Sequence, residues 1–173
     1  MNVLYLRHGQ TDGNLQNLCV GQMDMPLNAK GLVQAEQAAQ SSRLAEIRSI
    51  VASPLIRARQ TAEAVSVATG LTVAFHGGLK EVCMGSWEGL PEDDPGMYAR
   101  WIAGETPEGA ESWIGFSARV RHAFEEIIQK QHAPLIVAHC AVLWAIRDGL
   151  GLPVDSELGN GEYMTLDIPA DYL

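Results

Sequence analysis

The chain has 173 residues, 47% of them hydrophobic, which suits one globular domain burying roughly 70% of its unfolded surface. Its 12 Lys and Arg against 21 Asp and Glu give a net charge of −9. That balance excludes a nucleic-acid partner, because backbone phosphates demand clustered cations. Three widely spaced cysteines, Cys19, Cys83 and Cys140, form no CxxC pair, which speaks for a reducing compartment and against a disulfide framework.

The opening apolar run, Val3 to Leu6, predicts a buried strand over residues 2–8. Arg7 and His8 interrupt it too early for a secretion signal. Residues 9–27 read as a long polar loop, and loops of that length inside a compact domain are usually functional. Asn28 caps a predicted helix running through Leu32, Ala35, Ala39 and Leu44. Ser49 to Ala52 reads as a second strand. Ser53-Pro54 then starts a helix, with Ser53 as N-cap and Pro54 at the first helical position, and Gly70 stops it. Leu71 to Phe75 is a third predicted strand.

Residues 76–112 are irregular, with a short predicted helix from Met97 to Ala103. Phe116, Val120, Phe124, Ile127 and Ile128 recur at helical spacing. A strand from Leu135 to Ala138, a helix from Ala141 to Leu150 and a strand from Glu162 to Ile168 complete the chain. Strands alternating with helices imply a mostly parallel sheet with right-handed crossovers. The longest apolar stretch, Leu135 to Ile146, is about half a membrane span and contains His139. We therefore expect a cytoplasmic protein with no membrane partner.

Polar residues cluster where predicted strands end, the place where open α/β sheets collect their ligands. Arg7 and His8 follow the first strand, Arg57 opens the helix after the second, Glu81 lies beyond the third, and His139 ends the fourth. Arginine forks match phosphate oxygens. A histidine attacks phosphorus only through a neutral ring nitrogen, and neighbouring cations keep it neutral. Its other nitrogen needs a fixed acceptor, which the residues do not identify. Helix N-termini after Ser53 and His139 offer further N–H groups to an anion. A partly buried Glu81 can protonate a leaving alkoxide, although Glu88, Glu92, Asp93 and Asp94 lie close by and the residues alone do not choose among them. His76, His122 and His132 read as surface or loop residues. No metal or other cofactor is required.

Taken in order, Arg7-His8-Gly9-Gln10-Thr11, Ser53-Pro54 with Arg57-Ala58, Leu79-Lys80-Glu81 with Gly85-Ser86-Trp87-Glu88-Gly89, and His139 after a strand resemble the histidine phosphatase superfamily. The branch is the one with cofactor-dependent phosphoglycerate mutases and α-ribazole phosphatases. The resemblance covers nearly the whole chain; each motif alone is weak, and the ordered set is specific. It implies a three-layer α/β/α sandwich of the phosphoglycerate mutase-like type, forming one domain over residues 1–173 with 82–116 as a small cap. It implies catalysis by His8, Glu81, His139, Arg7 and Arg57, with His8 phosphorylated and Glu81 donating the proton. Gly9, Gln10, Thr11, Asn14, Gly21 and Cys140 are the expected substrate-binding residues, and Glu111 and Ser112 are expected near the pocket.

Two positions depart from the family pattern: Cys140 stands where glycine is usual, and Trp144 where an arginine or similar polar residue is common. The expected activity is hydrolysis of a small phosphorylated metabolite, with α-ribazole 5′-phosphate as the substrate guess. The alternatives are mutase-type phosphotransfer, to which the short stretch after Glu81 is poorly suited, and a non-catalytic phospholigand binder. A homodimer stays open.

Overall fold

Alternation along each strand sorts side chains onto two apolar faces, and helices cover both. The computed structural model describes residues 1–154, 158–169 and 172. Strands β1 (Asn2–Arg7), β2 (Ser49–Ala52), β3 (Val73–Phe75), β4 (Pro134–Ala138) and β5 (Tyr163–Asp167) form one sheet in the order β3-β2-β4-β1-β5. Pairs β1–β4, β2–β4 and β2–β3 are parallel, and β5 joins β1 antiparallel. Odd positions of β1, Val3 and Tyr5, pack with Ile136 and Ala138 beneath Phe116, Phe124 and Ile146. Those last three sit on α5 (Trp113–Lys130) and α6 (Cys140–Gly149). Leu6, with Ile50, Leu135 and Val137, packs on the other face under Ala38 and Val65, which lie on α2 (Ala29–Ala39) and α3 (Ile56–Thr69). Period-2 side-chain alternation divides the residues this way, and the expected three-layer α/β/α architecture results.

Four local expectations need correction. Helix α2 stops at Ala39, and Leu44 is buried instead from a 3₁₀ turn over Ser42–Glu46 that Ser41 caps through Arg43 N–H. Serine in a helix interior competes for backbone groups, so the Ser41-Ser42 pair favours a new start. Helix α3 begins at Ile56, not Pro54, with Leu55 at its N-cap and no side-chain capping bond; Ser53 Oγ lies 3.4 Å from Leu55 N and only 2.7 Å from His139 Nε2. The strand expected from Leu71 starts at Val73. The loop 9–27 contains a helical turn, α1 (Asp12–Leu15), closed by a reciprocal capping box between Thr11 and Asn14.

Between β3 and α5, residues 76–112 carry two 3₁₀ turns, Gly77–Leu79 and Gly85–Trp87, and α4 (Met97–Ile102). Trp101 of α4 is fully buried, packed against Trp113 and Phe116, and its indole N–H donates to the Glu111 carbonyl at 2.8 Å. The segment is thereby pinned to α5. Among the described residues, no helix is long and apolar enough to cross a membrane.

Candidate active site

Register brings the two histidines together. In the β1–β4 pairing Arg7 lies opposite Ala138, and His8 N–H donates to the Ala138 carbonyl at 3.0 Å. His8 and His139 therefore leave adjoining parallel strands side by side. Their ring centroids are 5.0 Å apart with a 60° tilt, and both residues are buried.

The His8 ring is held in one tautomer. Its Nδ1 lies 2.7 Å from the Gly9 carbonyl, and a carbonyl only accepts, so Nδ1 carries the proton and Nε2 keeps its lone pair. That carbonyl is the acceptor that the sequence reading leaves unassigned. It is fixed in turn: Gly9 N–H donates to Thr61 Oγ1 at 3.1 Å, and a Cβ on Gly9 would stand 2.4 Å from the Gly31 carbonyl oxygen. Only glycine admits that approach. Arg57 Nε donates to His8 Nε2 at 3.3 Å. Burial, then the Arg57 and Arg7 guanidinium groups, hold the His8 pKa well below 6.5.

Arg57, from the first turn of α3, is almost fully buried. Its Nη1 and Nη2 donate to the carbonyls of Met23 and Gly21, both at 2.8 Å. The long loop thus serves as a clamp on the cation, each charge-assisted bond contributing about 1.5–3 kcal/mol net. Gly21 has φ +51, and a Cβ there would lie 2.3 Å from Glu88 Oε1. That carboxylate cannot easily yield, because it accepts from Gln22 N–H and Met84 N–H. Arg7 Nη1 donates to the Leu158 carbonyl at 2.6 Å, while its buried Nε has no hydrogen-bond partner among the described residues.

His139 is the N-cap of α6 and fully buried, with Ser53 Oγ 2.7 Å from its Nε2. Tyr5 Oη donates to its carbonyl at 2.6 Å. Its Nδ1 is buried with no partner among the described residues. Burial and the Arg57 guanidinium push the His139 pKa down as well.

Glu81 is placed by its neighbours' main chain. Oε1 accepts from Val82 N–H at 3.0 Å and Oε2 from Ala141 N–H at 3.3 Å. Burial raises its pKa above the usual carboxylate range, against the opposing pull of those N–H groups and Arg57. Its carbonyl accepts from Gln22 Nε2 at 2.9 Å. Arg119 on α5 donates to the Gly78 and Lys80 carbonyls and pairs with Glu111 at 2.7 Å. Arg119 therefore fixes the segment that carries the acid, a role that its helical position gives no sign of.

One donor at each of the two helix N-termini is already engaged. Ile56 N–H donates to Asp24 Oδ1 at 2.7 Å and Ala141 N–H to Glu81, so each meets a carboxylate of the protein itself.

A cavity of about 610 Å³ opens against Arg7, His8, Arg57 and Glu81. Asn14, Gly21 and Cys140 also line it, as does Trp144. Asn14 Oδ1 accepts from Thr11 and from Asn160 Nδ2, which leaves the Asn14 amide nitrogen as donor. Gly9, Gln10 and Thr11 stand outside the wall. Gln10 N–H is bound by Gln34 Oε1 and its Oε1 by Asn28 Nδ2, while Thr11 caps α1; these residues shape the loop behind the site. Glu111 and Ser112 also lie outside the wall, Glu111 on Arg119 and Ser112 capping α5. His139 sits directly behind the wall, against His8. His76 pairs with Glu126 on the surface at 3.1 Å.

Residues missing from the sequence reading are Ser53 as the His139 partner, Arg119, and Asn160, whose Nδ2 donates to the His8 carbonyl at 3.1 Å. The Ser-Pro pair is the one available signal, and it looks like a helix cap. Among the described residues no cluster of three or more His, Cys, Asp or Glu side chains is arranged to hold a metal ion. An unprotonated ring nitrogen facing a guanidinium group is equipped to attack an electrophile that the cation attracts.

Residues 3–168 match the family model described as the histidine phosphatase superfamily (branch 1). A protein named probable phosphoglycerate mutase GpmB from Salmonella choleraesuis (strain SC-B67) is 33% identical over 168 residues, spanning 91% of this chain and 78% of the relative. A mycobacterial glucosyl-3-phosphoglycerate phosphatase, solved in complex with VO3, superposes with a TM-score of 0.83 at 33% identity, covering 96% of this chain and 92% of that one. TTHB049 from Thermus thermophilus superposes with a TM-score of 0.77 at 29% identity, covering 98% and 94%.

Proposed function

The chain belongs to the histidine phosphatase superfamily, branch 1, and from that premise we propose that it hydrolyses small phosphomonoesters through a phosphohistidine on His8. The supporting observation is the His8 ring itself: Nδ1 is tied to a carbonyl, and Nε2 keeps its lone pair beside Arg57. In the first step Nε2 attacks phosphorus and the P–O bond to the alcohol breaks. Glu81, whose raised pKa favours the protonated form, gives its proton to the departing alkoxide. In the second step water attacks phosphorus, the N–P bond breaks, Glu81 takes the water's proton, and inorganic phosphate leaves neutral His8 behind. Arg7 Nε, buried and unpartnered among the described residues, is the donor for the transferring phosphoryl oxygens, with the His139 ring packed behind His8.

Acid-labile phosphate should be trapped on wild type and absent from His8→Ala, and turnover of p-nitrophenyl phosphate should persist in EDTA. Absence of turnover would favour a phospholigand binder, and loss in EDTA a metal-dependent reaction.

Mutase-type transfer is the second reading, favoured by the Salmonella relative's name. A mutase must shield its phosphoenzyme while the intermediate turns over, and here only 31 residues, 82–112, separate Glu81 from α5. Transfer of label between phosphoglycerate isomers without release to water would favour that reading. α-Ribazole 5′-phosphate belongs in the substrate panel beside sugar phosphates and phosphoglycerates.

A further inference from the structure

Building on the anion-binding end just assigned, we infer that the outer part of the cavity selects phosphomonoesters whose organic group is aromatic or apolar and carries no second negative charge. The ground is the division of charge along the wall. Among the described lining residues, Arg7 and Arg57 are the only cations, and both belong to the histidine end. Arg57 is engaged by Gly21, Met23 and His8, and Arg7 by Leu158.

The rest of the wall is largely apolar, aromatic or acidic. Leu18, Val20 and Met84 contribute aliphatic surface. Tyr98 from α4 and Trp144 from α6 meet edge to face, centroids 5.4 Å apart at 78°. Trp144 lies one helical turn beyond Cys140 and so shares its cavity-facing side. Glu92, which accepts from the Tyr98 hydroxyl, is the carboxylate of this part of the wall, whereas Glu162, whose carbonyl accepts from Arg7 N–H at 3.1 Å, lies beside the histidine end. A ligand carboxylate placed beside Tyr98 and Trp144 meets the Glu92 carboxylate and no cation, an arrangement that rejects it. A planar apolar group instead finds an aromatic shelf on which to bury its faces. The phosphoglycerate of the relatives' names carries such a carboxylate, so the preferred substrate class differs from theirs.

Binding of two non-hydrolysable phosphonates to the wild-type protein tests this by calorimetry, without chemistry: 3-phenylpropylphosphonate and 4-phosphonobutyrate, which differ in phenyl against carboxylate. The phenyl ligand should bind at least tenfold more tightly. Trp144→Ala should erase most of that advantage by weakening the phenyl ligand alone. Glu92→Gln should improve the carboxylate ligand severalfold, and it decides the matter should Trp144→Ala not fold. Dissociation constants within threefold of each other, tighter binding of the carboxylate ligand, or a ratio unmoved by both substitutions would overturn the inference. Since no turnover is read, failure here leaves the phosphohistidine assignment standing, and failure to trap phosphate leaves this preference standing.

Discussion

The two ends of the cavity are built differently. At the histidine end every reactive side chain is set by main chain or by a buried partner: His8 by the Gly9 carbonyl, Arg57 by two loop carbonyls, His139 by Ser53 and Glu81 by two N–H groups. At the outer end the wall is made by side chains from three places in the chain, Leu18 from the long loop, Glu92 and Tyr98 from the 76–112 segment and Trp144 from α6. The first end sets what reaction is possible. The second sets which ester is admitted. Substitutions at the first should change kcat, and those at the second should change KM and the ratio between substrates.

The sharpest way to break that contrast is His8→Ala. We expect kcat on p-nitrophenyl phosphate to fall by at least about 10⁴-fold, the scale of a lost nucleophile, with no phosphoenzyme. Glu81→Gln comes next. It should cost about 10²–10⁴-fold in kcat/KM on alkyl phosphates and far less on p-nitrophenyl phosphate, whose leaving group needs no proton. The pH profile carries the same signature: because the Glu81 pKa is raised, wild-type activity on alkyl phosphates should fall as pH rises through it, and the variant should lose that limb.

Ser53→Ala leaves His139 Nε2 buried without its partner. It should cost about 1–3 kcal/mol of stability by denaturant titration and roughly 10- to 100-fold in kcat through misplacement of the ring, while the phosphoenzyme still forms. A smaller effect is expected from Gly21→Ala, which forces φ +51 on alanine and displaces the tethered Glu88. It should cost about 1–3 kcal/mol and lower kcat more than it raises KM, since Arg57 loses its clamp.

Acid offers a further probe of the histidine end. His8 and His139 have folded pKa values well below 6.5. The unfolded chain therefore binds more protons between those values and 6.5, and the stability that the neutral rings contribute is lost as pH falls through that window. The melting temperature should drop on acidification below about pH 6.5, and His139→Gln should flatten the drop. An unchanged slope in that variant would remove His139 from the account.

Sequence pattern predicts the alternation of strands and helices well because burial on both faces makes β1 and β4 continuous apolar runs, and one-sided burial imposes the helical period on α5. The strand-end rule then locates Arg7, His8, Arg57 and His139 before any pairing is known. Pattern says nothing of a hydrogen bond between segments far apart in the chain. Ser53 looks like a helix cap because Ser-Pro is a good local signal, and its bond to His139, 86 residues away, is invisible. Arg119 sits at an ordinary helical position, and only the path of the loop past α5 gives it the Gly78 and Lys80 carbonyls. Gly9, Gln10 and Thr11 belong to the motif that signals the family, yet they lie behind the cavity wall as its frame. The antiparallel direction of β5 likewise depends on the return path of the chain, which composition does not encode.

The adjacency of β1 and β4 has a kinetic consequence. The residues bearing the two imidazoles are separated by most of the chain, and a single-residue slip in their pairing would part the rings. Closing so long a loop is entropically slow, so phosphoenzyme-forming capacity should be among the last properties recovered during refolding, after helical signal has returned.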